Sequence, residues 1–140
     1  MDNDVNNMDV TRAYKFRIYP DAKHQSEINL QLVLSKEFYN LLLEKSIKAY
    51  REWSNKFSMA ILNRFAKEIE KDRKILQIYL QTRREMKYRV LKAYQNFFRR
   101  CNEKNSGKKI KVGFRHFKPG NRCKSIIYQQ DTGITCAKNQ

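Results

Sequence analysis

Hydrophobic and polar residues alternate along the chain from residue 11 to residue 19. Tyr14, Phe16 and Ile18 share one face of this pattern, and basic residues lie between them. A period of two with aromatic and β-branched residues predicts a half-buried β-strand. Pro20 ends the strand, and Asp21 is placed to cap a following helix.

The pattern becomes helical from residue 22 to about residue 53, with apolar residues three and four positions apart. This span is long for one helix of a globular protein, so we expect a break near Ser35, whose hydroxyl could cap a second helix. A polar junction at 54–57 then precedes another helical stripe at 59–69.

The last long helix is predicted over residues 75–102, where Met86, Val90, Tyr94 and Phe97 form an apolar stripe and Lys and Arg avoid it. Gly107 marks its end. Beyond it, the pattern predicts short strands at 108–114 and 125–129 and the start of another at 134.

This order of elements predicts an α+β fold. The first strand has no neighbouring strand before the helices, so it must pair with the strands after them, and the helical bundle is then inserted into a small β domain. The predicted divisions are a disordered acidic tail (1–10), a first strand (11–20), a helical lobe (21–105) and returning strands of an incomplete β domain (106–140).

The net charge and its distribution are the strongest indication of what the chain binds. The net charge is +16, and residues 83–125 alone hold fifteen Lys and Arg against two Glu, a net charge of +13. Such a stretch repels itself unless a polyanion lies near. Nucleic acid is the polyanion we favour, an anionic membrane is the second choice, and a merely solvated surface is the remaining alternative.

The sequence offers little for catalysis or metal binding. The three cysteines are widely spaced and form no Cys-x-x-Cys pair, so we expect free thiols and no structural zinc. Glu68, Glu70 and Asp72 cluster among basic residues and are expected to form ion pairs on a helix surface. No apolar run could span a membrane and no signal peptide is evident, so a cytoplasmic location and no membrane contact are expected.

Four motifs, in this order, resemble the OrfB/TnpB proteins of insertion sequences. They are Ala-Tyr-Lys-Phe-Arg-Ile-Tyr-Pro (13–20), Phe-Tyr-Asn-Leu-Leu-Leu-Glu with Ile-Lys-Ala-Tyr (38–50), Ala-Tyr-Gln-Asn-Phe-Phe-Arg-Arg (93–100), and Gly-Lys-Lys with Gly-Phe-Arg-His-Phe-Lys (107–118). The resemblance covers about residues 11–135. Segment 54–85 fits the family poorly, and His116 stands in a motif that usually contains proline.

The resemblance implies a β-barrel wedge domain interrupted by a helical recognition lobe. It also implies binding of a guide RNA and recognition of a short motif in target DNA, at a helix face that by position includes Leu80, Gln81 and Arg84. The family's RuvC-like nuclease domain and zinc ribbon have no counterpart in this sequence. We therefore expect no catalytic residue, no cofactor and no enzymatic activity from this chain, although the full-length family is a metal-dependent DNA endonuclease.

We thus expect a nucleic-acid-binding N-terminal part of a TnpB-like nuclease, associated with the nucleoid of a prokaryote when bound to DNA. Lys and Arg supply phosphate contacts, and aromatic residues stack on unpaired bases. The candidate nucleic-acid-binding residues are Lys15, Arg17, Gln81, Arg84, Lys87, Arg99, Arg100, Lys108, Lys109, Lys111, Arg115, His116, Lys118, Arg122 and Lys124.

Two alternatives stay open. The chain could work only with a nuclease half supplied in trans. It could instead be a non-functional transposase remnant or a helix-mediated interaction protein with a generic basic surface. An incomplete β domain would leave strand edges exposed, which leaves self-association open as well.

Overall fold

Helices are the only regular secondary structure in the part of the chain that the computed structural model describes, which is residues 12–53, 58–113, 116–117 and 125–127. The helices are α1 (Ala22–Trp53), α2 (Met59–Ile69), α3 (Arg73–Leu76) and α4 (Leu80–Asn105). α1 packs against each of the other three, and α2 packs against α4. α1 is therefore the element around which the bundle is assembled.

α1 begins at the cap that the sequence predicts. The backbone amide of His24 donates to Asp21 Oδ1 (2.8 Å), and the amide of Gln25 donates to the Asp21 carbonyl (2.9 Å). These bonds satisfy amides that have no partner inside the helix. The backbone hydrogen bond from His24 lowers the pKa of Asp21 below its ordinary value, with the His24 side chain acting in the same direction.

The break expected near Ser35 is wrong, because α1 runs without interruption for 32 residues. Leu34, Phe38 and Leu42 are buried along one face of the helix, and Ser35 is buried beside them. Packing of this face continues across the position of the expected cap. Burial in the bundle therefore outweighs the weak local preference of serine for a helix start.

The core is formed by the apolar stripes of α1, α2 and α4. Met86, Val90, Tyr94 and Phe97 are all buried, which confirms the predicted stripe of the last helix. On α2 the buried residues include Leu62 and other members of the 59–69 stripe. Towards the C-terminal end of α1, an aromatic cluster of Tyr50, Tyr94, Phe97 and Phe98 has ring centroids 5.4–6.2 Å apart.

The long helix predicted from residue 75 begins at Leu80 instead. The short α3 comes first, capped by the Asp72 carboxylate, which accepts from the Lys74 amide (3.0 Å). Ile75 and Ile78 are both buried in the core. Their burial holds the chain in a turn between α3 and α4, where an apolar pattern alone would continue one helix.

α4 ends where the sequence predicts. The amide of Gly107 donates to the Lys104 carbonyl (3.0 Å), and the amide of Lys108 donates to the Glu103 carbonyl (3.1 Å). This pair of bonds is a Schellman motif, which requires a left-handed residue at its centre. Gly107 has φ +93°, a conformation that glycine adopts without steric cost.

The predicted α+β fold is wrong. Helices make up 71% of the residues that the structure describes, and these residues contain no strand, sheet or barrel. In the predicted first strand, Tyr14 is 72% exposed, Phe16 82% and Ile18 68%. Alternation indicates a strand only where one face is buried and the backbone is paired. Segment 12–20 has neither property, and it forms no regular secondary structure.

The returning strands are likewise not formed where the structure describes them. Residues 108–113 and 125–127 have no regular secondary structure. The rest of the predicted returning strands, and the polar junction at 54–57, lie outside the described residues. The division of the chain into domains stays a prediction, and self-association has no strand edge to support it in the described part. No described helix combines the length and apolar character needed to cross a membrane.

Candidate nucleic-acid interface

The outward face of α4 carries basic residues and one exposed aromatic residue. Arg84, Tyr88 and Lys92 follow each other at intervals of four, so they lie on one side of the helix. All three are exposed, whereas Met86 and Val90 on the opposite side are buried. The burial of the apolar stripe thus fixes which basic residues of α4 face solvent.

α4 is also the most strongly charged helix. It contains eight basic and two acidic residues, a net charge of +6. α1, although longer, contains five basic and four acidic residues, a net charge of +1. A polyanion is therefore attracted to α4 far more strongly than to α1.

An open groove of about 550 Å³ lies between α2 and α4; we call it the α2–α4 groove. Its lining includes Lys67 and Glu70 from the α2 side and Arg84, Lys87 and Tyr88 from α4. Three of these five residues are basic and one is acidic. The groove therefore offers converging positive charge beside an exposed aromatic ring.

The single carboxylate among those lining residues already has a partner. Glu70 Oε1 accepts from Arg83 Nη1 at 2.8 Å, and the two side chains are 24% and 12% exposed. Arg83 is therefore held inside the bundle by an ion pair that joins α2 to α4. Its charge is compensated there, which leaves Lys67, Arg84 and Lys87 as the cations available in the groove.

Lys87 is held in the wall of the α2–α4 groove. Its Nζ donates to Asn63 Oδ1 on α2 (2.8 Å). Burial lowers the pKa of Lys87, Glu70 opposes this effect, and Arg84 and Arg83 add to it. Both burial and the two neighbouring guanidinium groups penalise the ammonium charge. A phosphate placed here would supply the negative charge that this cluster lacks.

A second hollow, of about 460 Å³, lies on the other side of Tyr88; we call it the α4 hollow. Glu85, Tyr88, Arg89 and Lys92 line it. Arg89 is engaged, since its Nε donates to Glu85 Oε1 (3.3 Å) and its Nη1 donates to the carbonyl of Ser125 (3.3 Å). Lys92 has no ion pair or hydrogen bond among the described residues, so it is the available cation of this hollow.

The structure brings together only some of the residues predicted from the sequence. Arg84 and Lys87 meet in the α2–α4 groove, and Gln81 is half-buried near the start of α4. Arg99 and Arg100 lie farther along the helix and are already bonded. Arg99 Nη1 pairs with Glu103 Oε1 (2.8 Å), and Arg100 Nε donates to the Asn96 carbonyl (3.3 Å).

The other predicted residues lie away from the bundle or outside the described part. Lys15 and Arg17 are in the exposed segment 12–20, where the Arg17 guanidinium lies 5.2 Å from the centroid of the Tyr19 ring. Four predicted residues after α4 are exposed: Lys108, Lys109, Lys111 and His116. The predicted residues that lie outside the described residues are Arg115, Lys118, Arg122 and Lys124.

Three candidate residues were not predicted from the sequence: Lys67, Tyr88 and Lys92. The spacing of Tyr88 and Lys92 from Arg84 is a signal that was available, since i, i+4 positions opposite a buried stripe share the solvent face. Lys67 lies on α2, and its proximity to α4 comes from tertiary packing. No local pattern could place it in the groove.

The acidic cluster serves the fold: Glu68 and Glu70 form the predicted ion pairs, whereas Asp72 caps α3. Glu68 Oε2 accepts from Lys45 Nζ on α1 (2.7 Å), and Glu70 pairs with Arg83 on α4. The partners come from other helices and not from the basic neighbours in the sequence. Among the described residues, no group of three or more His, Cys, Asp and Glu could hold a metal ion.

Comparison with known protein families gives a match near the start of the chain. Residues 8–56 match the family HTH_OrfB_IS605, which is described as a helix-turn-helix domain. No curated protein and no solved structure matches the chain. The resemblance over the rest of the chain, to residue 135, stays a prediction.

The matched span includes segment 12–20 and α1. From Ala22 onwards the described residues of this span form one continuous helix, so no turn separates two helices there. A helix-turn-helix reads DNA with the second of two helices, and here α1 is nearly neutral while α4 carries the charge. Over residues 8–56 the chain is nevertheless similar to the helix-turn-helix domain of the OrfB/IS605 family.

Proposed function

We propose that this chain binds DNA through the outward face of α4 and the adjoining α2–α4 groove. The observation that carries the proposal is the set of exposed cations around α4, Lys67, Arg84 and Lys92, which have no ion-pair partner among the described residues. The match to a transposase-related DNA-binding domain supports the same ligand class. The remaining basic residues predicted from the sequence are candidates for further backbone contacts.

The finer proposal is that the chain is the nucleic-acid-binding part of a TnpB-like, RNA-guided nuclease and does not itself cut DNA. It then also binds a guide RNA. The +13 net charge of residues 83–125 supports this, because a folded RNA and a DNA strand together require an extended basic surface. Exposed lysines after α4 extend that surface beyond the groove.

The test is binding of the purified chain to duplex DNA, single-stranded DNA and structured RNA across a salt series. Counterion release predicts that log K falls with log[salt] by about 0.9 per neutralised phosphate on duplex DNA and about 0.7 on single strands. The double variant Arg84→Ala/Lys92→Ala should flatten the duplex slope by about 1.8. Preferential binding of structured RNA would support guide binding.

A matched control removes two positive charges from α1. Lys48 and Arg51 are exposed, and Lys48 pairs with Glu44 on its own helix. The variant Lys48→Ala/Arg51→Ala should leave the salt slope unchanged. A loss of binding in this variant, with none in the α4 variant, would place the interface on α1 and overturn the assignment to α4. Equal weak binding of the wild type to every polyanion would overturn the proposed function as a whole.

A further inference from the structure

Tyr88 is the one aromatic residue of α4 that faces solvent. Tyr94 and Phe97 are buried, and Phe98 packs against the core. Tyr88 is 58% exposed and has no ring contact or hydrogen bond among the described residues. Its burial therefore contributes little to the fold, and its position between two basic residues calls for another explanation.

Tyr88 forms the ridge between two hollows. It lines both the α2–α4 groove and the α4 hollow. Lys67, Arg84 and Lys87 lie on one side of the ring, and Lys92 lies on the other. Arg84 and Lys92 are eight residues apart, which is about 12 Å along the helix. The ring is thus flanked on both sides by cations that can hold phosphates.

This arrangement fits an unpaired strand better than a duplex. Every base has a π-face, so an aromatic side chain can stack on any unpaired base, and basic side chains along a groove hold the backbone. In a duplex the bases are already stacked on each other, and exposing one costs a few kcal/mol. An exposed ring between phosphate-binding cations therefore gains its stacking energy only from a strand whose bases are free.

We infer that the Tyr88 ridge binds single-stranded DNA, with a base stacked on the ring and the flanking phosphates held in the α2–α4 groove and by Lys92 in the α4 hollow. This inference rests on the proposed DNA-binding function and adds that α4 selects single-stranded DNA over duplex DNA. The base is held without reading its identity, because stacking is tolerant of sequence.

The test compares wild type, Tyr88→Ala and Tyr88→Phe for binding to an oligothymidylate and to a duplex of the same length. Tyr88→Ala should weaken binding of the oligothymidylate by about 5- to 150-fold, the usual effect of losing one stacked base. Tyr88→Phe keeps the ring and should stay within about twofold of wild type. Duplex binding should change by no more than about twofold in either variant.

An abasic oligonucleotide isolates the stacking itself. If the ring acts by stacking on a base, Tyr88→Ala should have no effect on binding of an abasic strand. The loss of affinity from Tyr88→Ala and the loss from removing the bases should then not add. The melting temperature of Tyr88→Ala should stay within about 4 °C of wild type, because the side chain is mostly exposed. The inference is overturned if folded Tyr88→Ala weakens binding of single-stranded and duplex DNA equally. It is also overturned if the variant weakens neither.

The two proposals fail in different ways. If the wild type binds neither DNA form, the proposed function fails and no effect of Tyr88 can be measured. If the wild type binds DNA with a steep salt slope but Tyr88→Ala binds oligothymidylate as well as Tyr88→Phe does, the proposed function stands and the stacking role of Tyr88 is wrong.

Discussion

Replacing Glu70 by glutamine removes one negative charge from the α2–α4 groove and leaves the size of the side chain nearly unchanged. Glu70 pairs with Arg83 and lines the groove beside Lys67, Arg84 and Lys87. It therefore stabilises the bundle and also repels any phosphate that enters the groove. The two roles predict opposite effects of the substitution on folding and on DNA binding.

The folding effect follows from the burial of the ion pair. Both side chains are less than one quarter exposed, and Arg83 Nε is buried without a hydrogen-bond partner among the described residues. Glutamine can still accept a bond from Arg83 but cannot neutralise its charge. We expect a loss of about 1–2 kcal/mol in the free energy of unfolding. For a helical region of this size, the melting temperature would fall by about 4–15 °C.

The binding effect follows from Coulomb's law. For a phosphate about 8 Å from the carboxylate, the repulsion is about 0.5 kcal/mol at the dielectric constant of water and about 2 kcal/mol at an effective value near 20. Removing it should tighten DNA binding by about two- to thirtyfold at low salt. The gain should shrink as salt rises, because the Debye length falls to about 10 Å at 0.1 M.

Thermal unfolding and a DNA-binding titration on the same preparations measure both effects. Glu68→Gln is the matched control, since Glu68 is two residues away and makes the same change in net charge, but its partner is Lys45 on α1. The control should leave DNA affinity within about twofold of wild type. If Glu68→Gln and Glu70→Gln tighten binding equally, net charge explains the effect and the α2–α4 groove is not the contact. If Glu70→Gln weakens binding, the reasoning is refuted.

Three other substitutions test the fold. Phe38→Ala should cost about 3–5 kcal/mol in urea unfolding, because Phe38 is fully buried in the centre of α1 and the change leaves a cavity. Gly107→Ala should cost about 1 kcal/mol or more, since alanine is strained at φ +93° and nothing within 4 Å compensates. Burial raises the pKa of Tyr94 above its ordinary value. The folded chain thus keeps a proton that the unfolded chain loses above about pH 10, so stability should fall as pH rises past that value, and less so in Tyr94→Phe.

Local signals predicted the start of α1, the end of α4 and the apolar stripe of α4. Asp21 and Gly107 act through backbone bonds to residues within four positions, and such bonds can be predicted from sequence alone. The Met86–Val90–Tyr94–Phe97 stripe was also predictable, because the helical period sets which residues share a face. The lack of a strand at 12–20 was not predictable, because alternation only states that two faces differ. Whether a sheet exists to bury one of them depends on the rest of the chain.

The candidate site was predictable only in part, for a related reason. Sequence indicates that residues 83–125 are basic, but not which of these charges are compensated. Arg83 and Arg89 are engaged by Glu70, Glu85 and the Ser125 carbonyl, and two of these three partners are distant in sequence. Tertiary packing therefore separates structural arginines from cations that remain available for a ligand.

Ser35 offers a test of whether α1 is one helix or two. Its hydroxyl is fully buried and has no hydrogen-bond partner among the described residues. If α1 is continuous, Ser35→Ala removes an unsatisfied polar group and adds a better helix former, so it should stabilise the chain by about 1 kcal/mol. If Ser35 instead caps a second helix, as a helix-turn-helix would require, the same change should destabilise it by about 0.5–2 kcal/mol.

A continuous helix and a helix interrupted at Ser35 thus predict changes of opposite sign in the free energy of unfolding for Ser35→Ala. Urea unfolding measures that sign directly. Ser26→Ala is the matched control. Ser26 is exposed on the same helix, where its hydroxyl donates to the Ala22 carbonyl (3.0 Å), so it reports the effect of helix propensity without burial. A gain for Ser35→Ala that exceeds the gain for Ser26→Ala supports a continuous α1 with its packing face running through residue 35. A loss at Ser35 alone would mean that the chain turns there, and a DNA-reading helix would then begin at Lys36.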